Sequence, residues 1–211
     1  VLDYSFSLYR IQPTQGADYT PLNIRPAAPE AVGGTLQIAA MNTLNYFLTV
    51  DTGAFICGPS QDMECRGADT TEELARQRAK LLAALSGLDA AVIGLNELEN
   101  TTGVEPLADI VAGLNDIFGE GTYAFIDTGT IGTDAIKVGL IYRPGEVTPV
   151  GSFETLTTAD DPRFLDTKNR PTLAQTFEEL STGARFTVVV NHLKSKGSDC
   201  LDVGDPDLGD G

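Results

Sequence analysis

One segment, Val188-Val-Val-Asn-His-Leu-Lys-Ser-Lys196, constrains the fold more than any other. A short β-branched run that stops abruptly at amide, imidazole and ammonium groups reads as a buried strand delivering Asn191 and His192 to its exposed end. His192 is the single histidine among 211 residues. Two further segments have the same shape. Asp89-Ala-Ala-Val-Ile-Gly-Leu-Asn-Glu-Leu-Glu-Asn100 runs from apolar residues into acids and amides, and Leu36-Gln-Ile-Ala-Ala-Met-Asn-Thr-Leu-Asn45 runs into amides. Three strands that each end in polar ligands predict one site assembled along a sheet edge. A lone histidine at a strand end is as compatible with a hydrogen-bonded structural role as with catalysis; the repetition of the pattern is what points to chemistry.

The periodicity elsewhere predicts the scaffold for these strand ends. Residues 35–42 and 90–95 are core strands joined by a crossover helix over 70–85, where Thr70 and Glu73 make a capping box and Leu74, Leu81, Leu82 and Leu85 share a face. A second helix covers 106–117, with Pro106 in its first turn. Strands follow over 123–127, 137–142, 147–150, 172–177 and 186–191. Helices followed by strands imply an α/β fold with sheets packed face to face and helices outside. Residues 1–34 differ in kind: one alternating strand over 4–12, then a Pro-rich linker containing Pro13, Pro21, Pro26 and Pro29. The expected organisation is therefore a strand-and-linker segment over 1–34 and one domain over 35–211.

The strand ending in Asn, the strand ending in Glu, the Arg-Pro entering a strand and the strand ending in Asn-His-Leu-Lys resemble the endonuclease/exonuclease/phosphatase superfamily. Cys65-Arg-Gly-Ala-Asp69, Asp127-Thr-Gly-Thr-Ile-Gly-Thr-Asp-Ala-Ile-Lys137 and Val190-Asn-His-Leu-Lys-Ser-Lys-Gly-Ser198 bring the resemblance closest to its secreted bacterial nucleases, over residue 35 to the end. The resemblance implies a four-layer α-β-β-α sandwich of two packed mixed sheets. It also implies a divalent-metal-dependent phosphodiesterase acting on extracellular DNA or RNA, endonucleolytic in its expected action. The family's later Gly-Asp-x-Asn and Ser-Asp-His segments are missing, so the chain looks like the amino-terminal part of such a domain. The general base that activates water is then expected from the remaining carboxy-terminal half.

The resemblance assigns roles by position. Glu97 is the expected ligand for Mg²⁺ or Mn²⁺, since a carboxylate at a strand end suits a hard cation; Glu99, two residues on, competes because it shares the strand face. Asn42 is metal-proximal, with turn capping as its structural alternative. His192 contacts the scissile phosphate, and Arg170 in Asn169-Arg-Pro171 binds it in bidentate fashion or makes a surface ion pair. Asn191, Asp134 and Lys137 lie near the substrate, and Lys194 and Lys196 meet backbone phosphates or only solubilise.

Composition sets limits on this reading. Lys and Arg total 14 against 30 Asp and Glu, a formal charge of −16, so nucleic-acid affinity is expected to be modest and dependent on divalent cations. No apolar run is long enough to span a membrane, and no signal peptide is visible. Cys57 and Cys65 flank a short turn-rich loop and read as a disulfide, which implies secretion into an oxidising compartment; two free thiols in a cytosolic protein are the alternative. Cys200 is the odd cysteine. Asp199, Asp202, Asp205, Asp207 and Asp210 form an acidic, Gly-rich tail suited to Ca²⁺, without the spacing of an EF-hand. Two other functions remain open: a phosphomonoesterase or phospholipase on the same fold, and a non-catalytic secreted domain that binds Ca²⁺ or a partner.

Overall fold

The structure is a computed structural model that describes residues 1–23, 26, 28–195 and 199–204. The chain divides into two compact units, Val1–Glu30 and Ala31–Gly211. In the first, β1 (Leu2–Ser5) and β2 (Leu8–Ile11) form an antiparallel hairpin. The single strand expected over 4–12 is thus two strands. The reversal falls at Phe6 and Ser7, whose φ angles of 51° and 60° give the turn its left-handed backbone. Neither residue is a usual choice at such a turn, and apolar alternation continues through it, so the sequence conceals the break.

The second unit is built on two sheets. Strands β3 (Ile38–Tyr46) and β6 (Val92–Glu99) are parallel neighbours, and β8 (Ile136–Tyr142) and β7 (Ala124–Phe125) extend the sheet antiparallel in the order β3-β6-β8-β7. The second sheet, in the order β11-β10-β9, is wholly antiparallel: β9 (Val147–Leu156), β10 (Arg170–Glu179) and β11 (Arg185–His192). A small ribbon of β4 (Phe55–Cys57) and β5 (Met63–Glu64) lies between β3 and the first helix in sequence.

Helix α1 (Thr71–Leu88) is the predicted crossover between β3 and β6. Thr70 caps it by accepting a hydrogen bond from the Glu73 N–H, and Asp89 ends it in a left-handed conformation. Helix α2 (Pro106–Phe118) carries Pro106 at its start, and the Glu105 side chain caps it by accepting from the Leu107 N–H. Leu81, Leu85, Leu107, Ile110 and Leu114 pack with Ile93 and Leu95 of β6 in one apolar core. Val92, Val138 and Leu140 of the first sheet meet Leu173, Phe177 and Val190 of the second in another. Gly94 permits that second contact, because a Cβ there would lie 2.9 Å from a Val190 methyl. The architecture is therefore α/β, with helices on one face of the mixed sheet and the antiparallel sheet on the other. Among the described residues these are three of the four expected layers.

A third, smaller core joins Phe47, Ala135 and Ile136 to Cys57 and Cys65. The two cysteines form the expected disulfide and are almost wholly buried. The bond thus fastens the 47–65 loop onto β8 rather than closing an exposed ring.

Candidate functional site

The predicted strand ends meet. β3 and β6 run parallel, so their carboxyl ends lie side by side, and both leave regular geometry there. Leu44, Asn45 and Glu97 have φ angles of 59°, 53° and 63°, a left-handed backbone that non-glycine residues adopt only when their surroundings hold them. Here the surroundings are specific. The Thr43 hydroxyl sits 2.8 Å from the Asn96 carbonyl oxygen and 3.1 Å from that of Glu97. The Asn42 Oδ1 accepts from the Leu44 N–H at 2.8 Å, and the Glu97 Oε2 accepts from the Asn45 N–H at 3.1 Å. Asn42 therefore does cap a turn, and in doing so shapes the loop that holds the Glu97 carboxylate.

His192 arrives from the opposite sheet. It alternates with Val188 and Val190 on β11, and its Nε2 stands 3.6 Å from the Glu97 Oε1. Its cross-strand neighbour on β10 is Arg170. The Arg170 guanidinium pairs with Asp134, and Asp134 also binds Arg66 at 2.8 Å. Burial lowers the His192 pKa below its ordinary 6.5 and the Arg170 charge adds to that, against the opposing pull of Glu97 and Asp134. The imidazole is thus neutral at neutral pH and offers one N–H. Asp134 is held below its ordinary 3.8: burial acts to raise it, and the charges of Arg170 and Arg66 outweigh burial.

Three buried polar atoms of these residues have no hydrogen-bond partner: Asn96 Oδ1, Arg170 Nε and His192 Nδ1. The orientation of the Asn96 amide is fixed because its Nδ2 donates to the Asn191 carbonyl at 3.2 Å. Leaving such groups unsatisfied costs about 1–3 kcal/mol each, and a site that retains them suits a ligand with both oxygen atoms and positive charge. Asn96 was not singled out from the sequence. Its signal was its place in β6, one residue before Glu97 and in register with Asn42.

The remaining expected residues fall into place differently. Glu99 is fully buried and accepts from the N–H groups of Leu48 and Thr49 at 2.7 and 3.0 Å and from the Thr49 hydroxyl at 2.6 Å. The left-handed turn at Glu97 removes the shared strand face that made the two acids rivals. Lys137 is a correction: its side chain is 1% exposed, and its ammonium binds Glu105 at 2.9 Å and the Gly129 carbonyl at 2.8 Å. It points into the interior because β8 is buried on both faces, away from the strand ends where Glu97 and His192 meet. Asp134 is likewise committed to two arginines, Arg66 and Arg170. Asn191 accepts from the Thr172 hydroxyl at 2.8 Å. The Lys194 backbone N–H donates to Asn169 at 2.9 Å, and its ammonium donates to the Ser195 carbonyl. Lys196 lies outside the described residues, as do Asp205, Asp207 and Asp210 of the acidic tail; Asp202 pairs with Lys168 at 2.6 Å.

Among the described residues no group of three or more His, Cys, Asp and Glu side chains is arranged to hold a metal. A thiolate- or imidazole-rich centre of the zinc type is thus not built from them. One carboxylate at the end of two strands that also carry Asn42 and Asn96 is instead a donor set suited to a hard cation that keeps several waters, in the manner of Mg²⁺ or Mn²⁺.

No family model matches the chain, and no curated protein matches it. Among solved structures it is similar to the human Nocturnin catalytic domain with bound sulfate, at 16% identity and a TM-score of 0.39 over 57% of this chain and 43% of that one. It is also similar to an endonuclease/exonuclease/phosphatase from Bacteroides vulgatus, at 14% identity and a TM-score of 0.43 over 74% and 51%. An endonuclease/exonuclease/phosphatase family protein from Bacteroides thetaiotaomicron gives 15% identity and a TM-score of 0.40 over 59% and 44%. The matches span about half the length of each of these chains. Likenesses this distant carry no argument about activity, which rests on the site itself.

Proposed function

We propose that the chain carries the metal- and phosphate-binding groups of a divalent-metal-dependent phosphodiesterase, and that the protein is a secreted nuclease cutting within DNA. The observation that carries this reading is the convergence of Glu97, Asn96, His192 and Arg170 from two sheets, with three polar atoms left for a ligand.

The residues fit the chemistry. Glu97 would hold Mg²⁺ or Mn²⁺, and the unpartnered Asn96 Oδ1 and the Asn42 amide at the neighbouring strand end are the oxygen donors that could join it. The bound cation would supply Lewis-acid charge to the phosphate. Arg170, fixed by Asp134, offsets charge building on the phosphoryl oxygens, and the neutral His192 donates one hydrogen bond to them. Because the single histidine is spent on the phosphate, we place the group that takes the proton of the attacking water outside these residues. The buried Cys57–Cys65 disulfide supports an oxidising compartment, and among the described residues no helix is long and apolar enough to cross a membrane.

Nicking of supercoiled plasmid by the purified protein tests the reading. Conversion to open circle with Mg²⁺ or Mn²⁺, abolished by EDTA and by Glu97→Ala, is the expected result. Undiminished cleavage by Glu97→Ala sinks the metal assignment; release of inorganic phosphate from nucleotides without nicking moves the activity to a phosphomonoesterase.

A further inference from the structure

We infer that the groove between helix α1 and the turn at Leu44 binds the sugar–phosphate backbone of a polynucleotide beside the scissile bond. The inference rests on the nuclease reading above and adds where the strand flanking the scissile bond is held, a place that a small phosphate ester would leave empty.

The groove encloses about 340 Å³, and its walls include Leu44, Arg66, Glu73, Arg76, Gln77 and Lys80. In a chain with 14 cationic residues against 30 acidic ones, three cations around one groove reverse the prevailing charge. Local positive potential of this kind gathers a polyanion even when net charge opposes it. Arg76 and Lys80 are exposed and stand one turn apart, about 6 Å along the helix axis. Two steps of a DNA strand cover a similar distance, at about 3.4 Å each. Arg76 has an ion pair with Glu73 at 3.3 Å, with the two side chains 64% and 45% exposed. Water screens an exposed pair of this sort and leaves it weak, so a phosphate displaces the carboxylate readily. At the other end Arg66 reaches Asp134, the residue that fixes Arg170. The groove therefore borders the phosphate site twice, through the Arg66–Asp134–Arg170 ion pairs and through the Leu44–Asn45 turn that bonds Glu97.

Its rim supplies the second observation. Leu44 is 77% exposed on a left-handed backbone, a conformation in which the Cβ of an L-residue crowds the following carbonyl oxygen. The core gains nothing from this side chain. The turn is nonetheless held from three sides: Asn42 accepts from the Leu44 N–H, Gln77 donates to the Leu44 carbonyl at 2.8 Å, and the next N–H binds Glu97. An apolar side chain kept outside at a cationic rim suits contact with a sugar or base edge while the cations take phosphates. A phosphomonoester has no neighbouring phosphates to place there.

Fluorescence anisotropy of a short labelled DNA duplex, in EDTA at low ionic strength and across a NaCl series, tests this. We expect the unsubstituted protein to bind modestly through the groove's cations alone, and more tightly once a divalent cation is added. Arg76→Ala with Lys80→Ala should weaken binding at least about tenfold and flatten the plot of log affinity against log salt by about 1.8, or about 0.9 for each phosphate no longer neutralised. Leu44→Ala should weaken binding with the slope kept. The charge-matched pair Arg163→Ala with Arg185→Ala should leave both unchanged. Alanine is tolerated at exposed helix positions, and thermal unfolding verifies that each variant folds. Equal effects from the two double variants, an unchanged slope, or no binding by the unsubstituted protein overturns the groove. Metal-dependent plasmid nicking alongside any of those outcomes would leave the phosphoesterase reading standing while removing this inference.

Discussion

Two acids separated by one residue have divergent tasks, and backbone geometry decides between them. Glu97 adopts φ 63° and turns its carboxylate toward His192, whereas Glu99 is buried and fastens the 48–49 loop. Replacing Glu99 by Gln leaves part of a buried, multiply bonded carboxylate cage unmatched and should cost about 2–3 kcal/mol in denaturant unfolding. Glu97→Gln should change stability by less than about 1 kcal/mol, because one N–H bond is at stake, yet remove metal-dependent cleavage. Equal stability losses from the two would contradict the division of labour. The sequence narrowed the proposed metal ligand to these two residues and went no further, since a left-handed residue inside a strand leaves no mark in a string of letters. Lys137 teaches the same lesson in reverse. A lysine beside a strand start reads as a phosphate contact, but here it is an interior ion with Glu105. Breaking a buried pair costs about 3–5 kcal/mol; Lys137→Ala should destabilise by about 3 kcal/mol on chemical denaturation, with no change in the salt dependence of nucleic-acid binding.

The loop entering β8 is the element that sets the arginine. Asn100, wholly buried, donates to the carbonyls of Ile131 and Asp134 and accepts from the Ile131 N–H, which pins the loop where Asp134 meets Arg66 and Arg170. The folded-state pKa of Asp134 is depressed, so its contribution to stability is fully present above the ordinary value of 3.8 and is lost as pH falls through the lower folded value. Asp134→Asn should therefore destabilise by about 2 kcal/mol near neutrality, a partly exposed pair being worth less than a buried one. The variant should also show a shallower loss of stability as pH falls below the ordinary carboxylate value of 3.8, measured by denaturant melts across pH; a parallel decline in both proteins would exclude this role. At this scale the sequence was largely legible. Both helices and the seven main strands follow from periodicity, because their apolar faces bury against one another, and the Thr70 cap follows from its spacing to Glu73; the Glu105 cap of α2 does not. The hairpin at Phe6-Ser7 and the ribbon at 55–64 were not, since the first lacks turn residues and the second is held by a disulfide rather than by a pattern.

Over the whole chain, the fold solves a specific problem of placement. A mixed sheet and an antiparallel sheet pack through Val92, Val138, Leu140, Leu173, Phe177 and Val190, and that contact brings the ends of β3, β6 and β11 to one place. The strand ends were legible as chemistry, and their meeting was expected along one sheet edge; that the third end comes from a second sheet across the interface was not, because residue-level pairing between packed sheets is a long-range outcome that local periodicity does not encode. Asn96 was overlooked for this reason, its importance depending on a carbonyl of the opposite sheet. The single histidine offers a direct measurement of the central claim, that these strand ends form one metal and phosphate site. In a sample of these 211 residues every imidazole signal in an NMR spectrum belongs to His192. With substoichiometric Mn²⁺ we expect that signal to broaden selectively, to recover when excess Mg²⁺ competes, and to be unaffected by Mn²⁺ in Glu97→Gln. A His192 signal that stays sharp in the unsubstituted protein, or broadens equally in Glu97→Gln, would mean that no cation binds at Glu97 beside the histidine.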